Sequence, residues 1–342
     1  MSAKIREKIR ECIARLSTAV SRGELSEVFR GFEEDLCEGA VRGLDIDQFR
    51  SYDEWVRWLS WSSVVLDEND YLKAALHALR LAPKIAATDY GTARQRDLGQ
   101  LWTDAIRGFL GEVAFAKWLH ERFGVSAELD YRRGSLQEFL PSDVKKINGR
   151  DPRLKISIKT TKLGGIWLDI PGAQIDHSDV FVLVRVGTAR EHFVAFLKKI
   201  SVIRDKLMKE AVGRGLLRAE ELSEIWNAVP DFTSVPACMA GFFNKLEVAE
   251  KIKSRLSIIE ADAEVKIKKA VVNKYLGFWH PGREEYEKAL REMLKSRGRS
   301  IKDDMKIEFK GIRDFTETLH FVASSGVLKK RKEDWEELIQ KL

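Results

Sequence analysis

Residues 140–162 read LPSDVKKINGRDPRLKISIKTTK, and the alternation of side chains along them decides the fold. Ile156, Ile158 and Thr160 alternate with Ser157, Lys159 and Thr161. A strand has a side-chain period of two, so one face enters a core and the other is polar. Asp143 to Ile147 and Leu154 to Thr161 therefore read as strands, separated by the turn signals Asn148-Gly149 and Asp151-Pro152. If the two strands are neighbours, the Asp143 carboxylate and the Lys159 ammonium sit side by side.

Upstream, residues 97–123 (DLGQLWTDAIRGFLGEVAFAKWLHERF) read as one long helix, with Leu101, Ala105, Phe109, Val113 and Ala116 at helical spacing and Gly124 as its stop. Gly108 and Gly111 inside it point to close approach of another backbone. Glu112 lies among Phe109, Val113 and Phe115, where an unexplained charge is uncomfortable. Downstream, Val180–Val186 and His192–Leu197 also read as strands, as does Ser126–Tyr131 before the quoted stretch.

The flanks are more helical. Ile5, Ile9, Ile13 and Leu16 mark an amphipathic helix, and Tyr52–Leu66 carries Trp55, Trp58 and Trp61 three apart, a buried face or a platform for stacking bases. After residue 200, helices are expected over 201–211, 219–227, 244–256, 282–297 and 331–342, with strands over 264–273 and 305–312. The fold class is α/β (α+β): a central mixed β-sheet flanked by helices. The expected regions are a helical N-terminal part (1–95), a core (96–200) and a mixed, mostly helical C-terminal part (201–342) that grips DNA or a second subunit.

Composition bounds the function. Lysine and arginine total 59 against 53 acids, a net charge of +6 over 342 residues, and 44% of residues are hydrophobic. Such a chain buries a sizeable core and is too apolar to be disordered. No apolar run reaches the ~18–20 residues of a membrane span, and the N-terminus lacks the apolar stretch of a secretory signal. The three cysteines, Cys12, Cys37 and Cys238, are far apart with no CxxC pair, so no disulfide is expected and a cytoplasmic location follows. No GxxxxGK[ST] phosphate loop occurs, so no nucleotide cofactor is expected. Residues 124–199 hold 13 lysines and arginines against 9 acids, and Arg132, Arg133, Lys145, Lys146, Arg150, Arg153 and Lys155 cluster near the quoted stretch. Such a patch suits phosphate contacts.

These parts match what phosphodiester hydrolysis asks for. Mg²⁺ takes one or two carboxylates, completed by water and phosphate oxygens. Asp143 and Glu112 are the candidate metal ligands with the Ile158 carbonyl, and Lys159 is the candidate partner of the attacking water. From Arg94 to Leu197 the chain resembles the PD-(D/E)XK nuclease superfamily, and within it type II restriction endonucleases. RQRDLGQLWTDAIRGFLGEVAFAKWLHERFG (94–124) is similar to the acidic first helix. Pro141-Ser142-Asp143 stands for the PD element with one extra residue, Ile156-Ser157-Ile158-Lys159-Thr160-Thr161 for the (D/E)XK strand, and residues 166–186 for the segment that completes the sheet. The resemblance implies a restriction-endonuclease-like core, Mg²⁺ (one or two per site), double-stranded DNA as substrate, a homodimer, and 5′-phosphate and 3′-hydroxyl products.

Ser157 departs from the pattern, since the family's second acid belongs there. Glu112 is the first candidate to replace it, followed by Asp169 and Asp176. Lys162, Thr160, Lys145, Arg132, Arg133 and Gln174 are candidate DNA contacts. Glu264-Val265-Lys266 and Glu308-Phe309-Lys310 also spell EXK, but their upstream aspartates are too close to leave room for a strand and turn. Two further readings stay open: a structure-specific repair or recombination nuclease, and a non-catalytic DNA-binding relative that lost the second acid.

Overall fold

The computed structural model describes residues 3–89, 97–131, 142–312 and 315–342, with side chains 83–89 left undescribed. The chain begins with α1 (Ala3–Ser21), α2 (Glu33–Arg42), α3 (Tyr52–Ser62), β1 (Ser63–Leu66), α4 (Glu68–Asp89) and α5 (Leu98–Phe123). There follow β2 (Ala127–Leu129), β3 (Val144–Ile147), β4 (Ile156–Lys162), β5 (Trp167–Pro171), β6 (Val180–Val186) and α6 (Arg190–Lys199). The rest comprises α7 (Met208–Gly213), α8 (Ala219–Ala228), β7 (Val235–Asn244), β8 (Ile258–Lys266), β9 (Lys269–Trp279), α9 (Glu284–Ser296), β10 (Lys306–Phe309), β11 (His320–Ser324) and α10 (Lys332–Gln340).

The fold is mixed α/β. One sheet has the order β1-β7-β6-β4, with β4 parallel to β6 and the other pairs antiparallel. Its strands come from all three regions of the sequence. In the second sheet, β9 pairs with β8 on one edge and shares its other edge between β10 and β11, and β11 continues to β5. β6 is buried on both faces: Val182 and Val184 belong to the core under α5, while Phe181 and Leu183 belong to the core shared with the second sheet, with Phe321 and Ile170. β7 behaves likewise, with one extra residue, Ala240, next to Gly241 (φ +137°), where a Cβ would press on the Lys329 carbonyl. The N-terminal helices form a third core around Trp55, Leu36 and Phe29, sealed on Leu163 and Cys238.

α5 has the ends its sequence calls for. The Asp97 side chain accepts from Gln100 N (2.8 Å), and Gly124 closes the helix at φ +65°. Asn148-Gly149 makes the two-residue turn after β3, with Ile147 and Arg150 exchanging backbone hydrogen bonds. Trp55 and Trp58 are buried and Trp61 packs edge-on against Trp118, so this stripe is core.

Several expectations are corrected. Residues 192–197 are helical, because the buried side chains His192, Ala195 and Phe196 recur at helical spacing. The tryptophan helix ends at Ser62 and the chain turns into β1. Only a short 3₁₀ segment, Lys245–Ile252, occupies the expected helix 244–256. The single strand expected over 264–273 is a hairpin, β8 turning into β9 at Ile267–Lys268. The region after 200, expected to be mostly helical, also contributes β7 to β11. Cys12 and Cys37 are disulfide-bonded, with Cα atoms 5.7 Å apart, because α1 and α2 pack with both cysteines on their buried faces.

Candidate active site

β4 lies at the edge of its sheet. One edge pairs with β6, and the other faces the residues leading into β3. Ser142 fastens this second edge: its Oγ accepts from Ile156 N (3.1 Å) and donates to Val144 O (2.7 Å), while Asp143 N donates to Ile156 O (2.7 Å). Two residues along, Ile158 N donates to Asp143 Oδ2 (2.5 Å). The N–H and C=O of one strand residue point to the same edge, so the Ile158 carbonyl faces the Asp143 side.

α5 crosses β4 at Gly111. A methyl there would overlap the Thr160 side chain, and Thr160 Oγ1 donates to Gly108 O (3.1 Å). Close approach was expected at both glycines and occurs at Gly111; a Cβ at Gly108 would meet nothing. This contact seats Glu112 beside the β4 edge. Lys159 projects from the other face of β4 and donates to Gln174 Oε1 (2.7 Å), whose amide reaches Ser157 Oγ at 3.5 Å. Gln174 and Ser157 are buried, so Lys159 is held by a fixed acceptor.

The electrostatics couple these groups. Burial pushes the Glu112 carboxyl well above its usual value, and the charges of Asp143 and Asp130 push it further. Asp143 is raised by burial, against the pull of Lys159, the Ile158 N–H and the Ser157 hydroxyl. Burial lowers Lys159, while Asp143, Glu112 and Asp169 oppose that shift. Two carboxyls that resist ionisation and an amine that resists protonation lie within electrostatic reach of one another, an arrangement typical of functional sites. A cavity of about 260 Å³, lined by Leu101, Gly108 and Phe109, opens beside Glu112. A larger hollow, about 560 Å³, lies between α1 and α3 and contains none of these side chains.

Asp143, Lys159, Glu112, Ser157, Gln174 and the Ile158 backbone thus come together. Other candidates do not join them. Asp176 pairs with Arg255 (2.5 Å). Asp169 is bound to His320 Nδ1 (2.8 Å), although its charge reaches Lys159. Thr160 is committed to α5, Lys145 pairs with Glu128 (2.7 Å), and Lys162 is exposed at the end of β4. Arg132 and Arg133 lie outside the described residues. The EXK at 308–310 forms no comparable group: Glu308 pairs with Lys269 (2.8 Å) and Lys306 (3.5 Å). In the other, Glu264 pairs with Lys266 at 3.8 Å.

Sequence reasoning missed Asp130, which is buried and donates its N–H to Asp143 O (2.9 Å). Its signal is an acid at the end of a strand beside apolar Leu129. Among the described residues no three His, Cys, Asp or Glu side chains form a metal-binding group. The donors on offer are two carboxylates and a backbone carbonyl, all hard oxygen ligands. No helix among the described residues is long and apolar enough to cross a membrane. Comparison with protein-family models, curated proteins and solved structures finds no match to this chain.

Proposed function

We propose that this chain is a Mg²⁺-dependent, site-specific endonuclease of double-stranded DNA, acting as a homodimer in the manner of type II restriction enzymes. The observation that carries the reading is Lys159. It is held by Gln174 and flanked by the half-buried carboxylates Asp143 and Glu112 at a sheet edge, and desolvation opposes its charge. The resemblance of residues 94–197 to the PD-(D/E)XK superfamily supports the same conclusion.

The donor set suits Mg²⁺, which takes one or two carboxylates and completes its shell with water and phosphate oxygens. Asp143, Glu112 and the Ile158 carbonyl would hold it. Bound there, the ion supplies Lewis-acid charge against the phosphate. The chain's own residues do the rest. The Ile158 N–H fixes the Asp143 carboxylate. Gln174 aims the Lys159 ammonium, which orients the attacking water and offsets charge developing on the phosphate oxygens. Ser157, standing where the family has an acid, lends its hydroxyl to Asp143, and Glu112 supplies the second carboxylate.

Digestion of a large sequenced duplex tests this, with Mg²⁺ and with EDTA, beside Lys159→Ala and Asp143→Ala. Discrete bands that need Mg²⁺ and vanish in both variants are expected. Cutting confined to flaps or junctions would make the chain a repair nuclease. DNA binding that survives EDTA, with no cleavage in Mg²⁺ or Mn²⁺, would make it a non-catalytic relative and overturn the proposal.

A further inference from the structure

Two residues beyond Lys159, the same face of β4 presents Thr161, because side chains on a strand repeat every second residue. Thr161 lines a second hollow, about 250 Å³, together with Arg42 of α2, Lys310 after β10, and the Gly164-Gly165 turn. Its floor is fixed. Gly165 N donates to Lys162 O (2.8 Å), and Gly165 O accepts from Arg185 Nε (2.7 Å). A side chain on Gly165 would collide with Thr161. Trp167 Nε1 donates to Lys310 O (2.7 Å), which pins the backbone that carries Lys310.

Cations and acids both border this hollow, and the Asp35 carboxylate lies against the Gly164 turn. Lys310 feels Arg42 and Lys266 on one side and the acids Glu264 and Glu38 on the other. Arg42 is bound to Glu38 (2.9 Å) and Glu264 is engaged with Lys266 (3.8 Å). Lys310 is partly buried, and loss of water is the main term against its charge, so an anion in the hollow would stabilise it. At a rise of about 3.3 Å per residue, Thr161 stands roughly 7 Å from Lys159 along the strand. That step is comparable with the spacing of neighbouring phosphates in one nucleic-acid strand.

We infer that Arg42, Thr161 and Lys310 form a phosphate-binding pocket that holds the DNA phosphate next to the one presented to Lys159. This inference rests on the nuclease reading for its ligand, and on the hollow itself for its chemistry. Part of the EXK stretch at 308–310, inert as a catalytic strand, thus acquires a role through Lys310.

The test is DNA binding in EDTA, where no cleavage intervenes, over a range of salt, for the wild type, Lys310→Gln, Arg42→Gln and the control Lys209→Gln on α7. Each pocket variant should weaken binding about tenfold at low salt, equally on all sequences, and reduce the slope of log K against log salt by about one. Lys209→Gln should change neither. Unchanged affinity and slope in both pocket variants would overturn the pocket and leave the nuclease reading intact. If the wild type binds no DNA, the nuclease reading fails, and inorganic phosphate decides the pocket. A rise in melting temperature with phosphate that Lys310→Gln abolishes keeps it as a site for free phosphate; no such rise overturns it.

Discussion

Asp45 is the carboxylate on which the N-terminal helices, the central sheet and the C-terminal segment converge. It lies 2.7 Å from Arg185 Nη1 on β6 and 2.7 Å from Lys330 Nζ before α10, and none of the three side chains is more than 2% exposed. Burial alone would raise the Asp45 pKa, but Arg185 and Lys330 together hold it below its usual value. Asp45→Ala leaves two cations sealed from water and facing each other. Removing one partner of a buried pair costs about 3–5 kcal/mol, and with two cations orphaned the upper end applies. For 342 residues the entropy of unfolding is about 0.7 kcal/mol/K, so a loss of about 5 kcal/mol lowers the melting temperature by about 7 °C. Calorimetry at pH 7 measures this directly. The triple replacement Asp45→Leu, Arg185→Met, Lys330→Met should cost less than Asp45→Ala alone, because it removes the charges together. A shift under 1 °C for Asp45→Ala would refute the reasoning. The depressed carboxyl fixes the sign with pH: its contribution is present above the unfolded value of 3.8 and is lost as pH falls through the lower folded value.

Other consequences concern the site. Lys159→Ala should lower the cleavage rate by about 10²–10⁴-fold while leaving DNA affinity in EDTA within a fewfold of wild type, as single-turnover and binding assays would read. Equal losses in both would mean that Lys159 only holds DNA. Glu112 and Asp143 have raised folded pKa values, so the stability they contribute is full below their unfolded values and lost as pH rises through the folded ones. Metal-free protein should therefore lose stability over that window, and Glu112→Gln should flatten the loss; an identical melting profile in the variant would contradict it. Gly111→Ala should push α5 off β4 and cost about 1–3 kcal/mol. Adding Thr160→Ala should recover part of it in denaturant titration, and no recovery would place the strain elsewhere.

The parts of this fold legible in the sequence are those whose pattern is local. α5 announces itself through Asp97, its apolar stripe and Gly124, and β4 through the alternation of Ile156 and Ile158 with Ser157 and Lys159. Of the candidate site, the strand pattern named Asp143 and Lys159 and the apolar surroundings on the helix named Glu112; the electrostatic coupling of the three appears only in the fold. β7 (VPACMAGFFN) was not, because burial on both faces erases the alternation and the extra residue Ala240 shifts what period remains. β11 is also buried throughout, with the same consequence. α6 misled through its composition: Phe193, Val194 and Phe196 favour strands, but tertiary burial of His192, Ala195 and Phe196 favours the helix. Asp45 and Lys330 are 285 residues apart, and nothing local marks their union. Asp130 belongs to the same class, since its weight comes from the charges that surround it in the fold.

The serine at position 157 gains a physical meaning from this arrangement. The position is 1% exposed, beside an Asp143 that already resists ionisation and within the network that holds Lys159. A carboxylate there would bury one more negative charge where Glu112, Asp143 and Asp130 already repel one another. A hydroxyl does the reverse, donating to Asp143 and easing its ionisation. Glu112 reaches the same spot from α5, on a helix that Gly111 lets settle against the strand. Its carboxylate comes from the cavity side, so a second acid is available without crowding the strand. On the proposed nuclease reading, serine at 157 and glutamate at 112 would be two halves of one electrostatic solution, with the glycine that precedes the glutamate as its steric condition.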